Sequence, residues 1–158
     1  MTKPITTRRM PQVLLCAALA LAAQAASAQF SMVPTPQCKA PSASGHDVET
    51  EFRIDAARHL YACFPMRVYR GKLPPLLYGV MMIETALDAG GNVTSVKVVR
   101  RPAADEVEPW VIALIKRAAP FPAPAKMDGG KVTYTETYFI DKSGLFQAFS
   151  LSEGQREQ

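Results

Sequence analysis

Leu77-Tyr-Gly-Val-Met-Met-Ile-Glu-Thr-Ala-Leu87, followed by Asp88-Ala-Gly-Gly-Asn92 and Val93-Thr-Ser-Val-Lys-Val-Val99, is the stretch that decides the fold. Side chains alternate across a strand, so Met81, Ile83, Thr85 and Leu87 share one face of the first arm. Tyr78, Val80, Met82 and Glu84 take the other. Both faces are largely apolar, so something must cover each. The Asp88–Asn92 segment is built of residues that tolerate positive φ, and it reverses the chain into the second arm.

Working outward, Val107, Trp110, Val111, Leu114, Ile115 and Ala118 recur at three- and four-residue spacing. That apolar stripe can lie across the hairpin as a helix. Its start has two solutions, a capping box of Asp105 with Glu108, or Glu108 as cap with Pro109 at the first helical position. Asp105, Glu106 and Glu108 sit at the positive end of the helix dipole, Lys116 and Arg117 at the negative end. Pro120, Pro122 and Pro124 end it. Upstream, Val48, Phe52, Ala56, Leu60 and Phe64 step by four, which predicts a first helix over Asp47–Cys63 that Pro65 stops. Met66 to Pro75 then crosses to the first strand. Downstream, Lys131 to Ile140 alternates as a third strand, with Val132, Tyr134, Tyr138 and Ile140 on one side and Thr133, Thr135 and Thr137 on the other. Leu145 to Leu151 is a weaker fourth strand after the Asp141–Gly144 turn. The expected class is α+β: an antiparallel sheet of three to four strands with two helices packed mainly on one face.

Val80–Val99, together with the helix that ends in Ala119-Pro-Phe-Pro122, resembles the C-terminal domain of TonB-type energy transducers. The resemblance spans roughly Ile54 to Phe139. It implies a periplasmic module whose third strand accepts a short peptide of an outer-membrane transporter on its edge, an instance of strand addition. Carried over, the partner-binding positions are Val132, Tyr134, Glu136 and Tyr138. If Leu145–Leu151 pairs back on the third strand, that edge is already occupied.

The chain has 158 residues, enough for one domain after processing. Lys3, Arg8 and Arg9, an apolar run from Val13 to Ala23 and Ala26-Ser27-Ala28 have the order of a secretory signal peptide, with cleavage between Ala28 and Gln29. The apolar run covers about half of the roughly 20 residues a membrane span needs. Cys16 is part of that run; Leu15 stands where a lipid-attachment cysteine requires a small residue. Removing the leader takes three of the 18 basic residues and none of the 14 acids, leaving 15 against 14, a balance of +1. Nothing in that balance points to nucleic acid.

The expected organisation is a leader over 1–28, a Pro- and Ser-rich arm over 29–46, a folded domain over 47–151 and a frayed tail over 152–158. Cys38 and Cys63 form an even pair in an exported chain, which predicts one disulfide. In the chain-entropy account it contributes roughly 3 kcal/mol. An extended polyproline arm would span on the order of 50 Å. TonB-type transducers carry a longer linker and a membrane anchor, and this chain departs from them in both.

Chemistry finds little support. His59 and Cys63 lie one helical turn apart, yet a closed zinc site needs four ligands and the chain has two histidines. Asp88–Asn92 has too few acids for a calcium loop, and Gly90-Gly91 lacks the strand-to-helix setting of a phosphate cradle. Glu136 is a lone carboxylate without an acid-base partner. No catalytic, cofactor or metal residue is assigned. The expected function is therefore a soluble periplasmic protein-binding module for an extended peptide of an envelope or outer-membrane protein, without enzymatic activity and without a stable membrane span after processing. The alternatives are a structural protein that dimerises through strand edges, and an anchored energy transducer that keeps its leader.

Overall fold

The computed structural model describes Phe30 and residues 32–155. The expected leader and its expected Ala28–Gln29 cleavage site lie outside the described residues. The elements in chain order are α1 (Glu49–Cys63), β1 (Gly79–Leu87), β2 (Val93–Arg100), α2 (Val107–Arg117), β3 (Val132–Ile140) and β4 (Phe146–Ala148). The strands form one open antiparallel sheet in the order β2-β1-β3-β4. No helix among the described residues is long and apolar enough to cross a membrane.

The period-2 pattern sorts the faces as expected. Met81, Ile83, Thr85 and Leu87 of β1 are buried, as are Val132, Tyr134, Glu136, Tyr138 and Ile140 of β3. These side chains meet Phe52, Ala56 and Leu60 of α1 and Val107, Trp110, Leu114 and Ile115 of α2 in one core. The start of α2 follows neither proposed cap: Val107 is its first residue and no side chain caps it. Pro109 falls in the first turn, where backbone N–H groups have no intrahelical partner to lose. No side chain caps α1 either, which begins at Glu49; the Ser44 hydroxyl donates to Asp55 Oδ2 at 2.8 Å.

The hairpin turn is tied to the segment after α2. Asp88 Oδ1 accepts from the amides of Gly90 and Asn92, both at 2.9 Å, and from Asn92 Nδ2. Gly91 has φ +78°, and its carbonyl accepts the Phe121 amide at 2.8 Å. A Cβ at this position would stand 2.0 Å from Phe121 O, so only glycine permits the approach.

The arm is irregular, as its composition predicts, but it is packed against the domain. Phe30 stacks on Tyr78 and meets Trp110 edge-on, both with ring centroids 5.5 Å apart. The Cys38–Cys63 disulfide is formed, Gln37 donates its amide to Cys63 O, and Ser44 donates its amide to Ala123 O. From Phe30 onward the arm is therefore not an extended spacer, because apolar burial and backbone hydrogen bonds hold it down.

The fourth strand is shorter than the alternation suggests. Only Phe146, Gln147 and Ala148 pair, opposite Ile140, Phe139 and Tyr138, and Phe149–Leu151 turn away as a 3-10 helix. The Ser150 amide and hydroxyl both donate to the Glu136 carboxylate, which draws the backbone off the ladder. On its other side β4 is bridged by the crossing segment, with the Tyr69 amide donating to Phe146 O at 2.9 Å.

Candidate functional site

Because β4 pairs with three residues of β3, the stretch Val132–Thr137 has β1 on one side and, among the described residues, no strand on the other. In an antiparallel ladder alternate residues send both N–H and C=O to the same side. Phe139 faces β4, so Thr137, Thr135 and Thr133 direct their backbone groups outward. Side chains occupy two of the three. The Thr135 amide donates to Glu49 Oε1 at 3.4 Å, and Arg53 Nη1 donates to the Thr135 carbonyl at 3.2 Å. The Thr137 amide donates to Glu136 Oε1 at 2.8 Å. Glu49 and Arg53 are one turn apart on α1, so the helix lays an acceptor and a donor along the strand as a neighbouring peptide group would.

Glu136 is 1% exposed. Its carboxylate collects the Thr137 amide and both Ser150 donors, which bridges β3 to the turn that β4 becomes. Burial is the largest influence on it and raises its pKa above the usual glutamate value, against the opposing pull of Ser150, the Thr137 amide and Arg53. Burial likewise raises Tyr61, Tyr134 and Tyr138. The hydroxyls of Tyr134 and Thr85, on paired residues of β3 and β1, are near enough for Thr85 to oppose the rise in the Tyr134 pKa but form no well-aligned hydrogen bond, and the buried Arg53 Nε has no partner.

The four positions expected to bind a partner, Val132, Tyr134, Glu136 and Tyr138, all point their side chains into the core. The sheet's pleat explains this: on β3 the helix-facing set is also the apolar set. A partner on this edge would meet backbone and the outer faces of Thr133, Thr135 and Thr137. Sequence reading did not single out Glu49 and Arg53. Their four-residue spacing on the polar side of α1 was visible, but their target, 82 residues away for Arg53, was not.

The helix-free face holds a second feature the sequence left unassigned. Leu73, Leu77, Val80, Phe139 and Phe149, with Ser152, Gly154 and Gln155, line a cavity of about 420 Å³. Phe149, 58% exposed, stands edge-on to Phe139. Val80 is the residue of β1's second apolar face that lines this cavity.

The other constellations resolve into structural contacts. His59 Nε2 lies 2.8 Å from Ala118 O and 3.3 Å from Cys63 Sγ. A carbonyl only accepts, so Nε2 carries the proton. Cys38, His59 and Cys63 place their donor atoms within 4.8 Å of one another, but both sulfurs are joined in the bridge and the imidazole N–H is engaged. Asp88 is held below the usual carboxylate range chiefly by Asn92, and its oxygens serve the turn. No protein-family model matches the chain, and no curated protein and no solved structure matches it.

Proposed function

We propose that this chain is an exported, periplasmic protein-binding module that takes an extended segment of an envelope or outer-membrane protein as an added strand along Val132–Thr137. The observation that carries the proposal is the early end of β4, which leaves this part of β3 paired on one side only. Strand addition draws its affinity from main-chain hydrogen bonds and its selectivity from alternate side chains. Here the alternate side chains of a bound segment would lie beside Thr133, Thr135 and Thr137. The disulfide favours an oxidising compartment. The likeness of Val80–Val99 and Ala119–Pro122 to TonB C-terminal domains supports the same mode of recognition.

Titrating the isotope-labelled mature chain with extended peptides from outer-membrane proteins tests this. Backbone amide shifts concentrated in Thr133–Thr135 are expected. Absence of shifts along β3 at saturating peptide would refute it. A homodimer formed through β2 is the second reading, favoured by one observation: β2 ends the sheet, with no strand among the described residues beyond Val93–Arg100. Concentration-dependent sedimentation together with protection of the β2 amides would select it.

A further inference from the structure

The β3 edge is closed by two kinds of contact that differ in how readily they can be undone. Glu49 stands in the first turn of α1, half-buried, and holds the Thr135 amide at 3.4 Å, near the long limit for a hydrogen bond. Arg53 reaches the Thr135 carbonyl but leaves its buried Nε without a partner, so holding it there has a desolvation cost. Both side chains are long and sit at the helix surface, from which they can turn toward water. Glu136 is different. It is fully enclosed, takes three donors and joins β3 to the turn at Ser150. Releasing it would leave a buried carboxylate and two amides unpaired.

We propose that Glu49 and Arg53 act as a displaceable strand surrogate that closes β3 at Thr135, and that Glu136 with Ser150 is a fixed stop that ends the usable edge before Thr137. The inference rests on the strand-addition reading and specifies how that same site is regulated. An incoming extended peptide supplies Thr135 with one carbonyl and one amide, replacing the Glu49 oxygen and the Arg53 guanidinium group for group. The surrogate satisfies the edge in the unbound protein, which also guards it against pairing with other chains. The segment admitted is short, since the outward-facing groups it can reach are those of Thr133 and Thr135.

The test compares the mature wild-type chain with Glu49→Ala/Arg53→Ala, using a short capped peptide of alternating Val and Thr with a lysine at each end. With two competing hydrogen bonds removed, the variant should bind on the order of tenfold more tightly. The Thr133 and Thr135 amides should shift on binding and the Thr137 amide should not. Glu49→Gln, which keeps an acceptor oxygen for Thr135, should bind like wild type. Should the double variant not fold, Glu49→Ala alone carries the test through a smaller gain and faster hydrogen exchange at Thr135 in the unbound protein. Equal affinity in wild type and variant, with Thr135 shifting in both, overturns the surrogate and leaves strand addition standing. A Thr137 shift comparable with that of Thr135 overturns the fixed stop. Silence along β3 in both proteins overturns the surrogate and strand addition together.

Discussion

Glu136 offers the sharpest test of how the C-terminal hairpin is held. Its Oε1 accepts from the amides of Thr137 and Ser150, and Oε2 from the Ser150 hydroxyl. Glu136→Leu removes the acceptor from two part-buried amides; at about 1–3 kcal/mol for a fully buried orphaned donor, the cost should be up to about 2–6 kcal/mol. Glu136→Gln should cost little, because its oxygen can take both amides while its NH₂ donates to a reoriented Ser150 hydroxyl. The two variants also differ in pH dependence. Burial raises the folded-state pKa of Glu136 above the ordinary value of 4.5. The folded state therefore binds the proton more tightly than the unfolded chain. The stability this group contributes is complete below the unfolded value and is lost as pH rises through the folded pKa. Glu136→Gln lacks that loss, so its stability relative to wild type should climb with pH above the usual glutamate range. Urea unfolding at several pH values measures both effects. A Gln variant as damaged as the Leu variant would refute the hydrogen-bond account. A difference between Gln and wild type that stays flat from pH 4 to pH 8 would refute the burial account.

The remaining predictions follow from single contacts. Gly91→Ala places a Cβ 2.0 Å from Phe121 O at a φ of +78°, and should cost roughly 2–4 kcal/mol. Gly90→Ala, whose nearest neighbour is the movable Asn92 amide at 3.0 Å, should cost under about 1 kcal/mol; chemical denaturation of the pair separates backbone constraint from general sensitivity of the turn. Cys38→Ser opens a bridge spanning 25 residues and should lower stability by roughly 3 kcal/mol. A reducing agent should lower the wild-type melting temperature toward that of the variant and leave the variant unmoved. The same change should loosen Phe30 from Tyr78 and Trp110, visible as a change in tryptophan fluorescence, since Trp110 is the one tryptophan of the chain.

What the sequence determined by itself is local. Alternation fixed which residues share a face on β1 and β3, three-four spacing fixed the buried stripe of α2, and Asp88–Asn92 marked the turn. Each follows from a backbone period or a residue's φ preference, which act over a few positions. Tertiary structure decided the rest. The end of β4 at Ala148 depends on a carboxylate twelve residues upstream drawing Ser150 aside. The closing of β3 at Thr135 depends on two side chains of a helix more than eighty residues away in the chain. The packing of the arm depends on an aromatic slot shared by Tyr78 and Trp110. In each case the deciding term is the need of a buried polar or apolar group for a partner, and that need carries no fixed spacing along the chain.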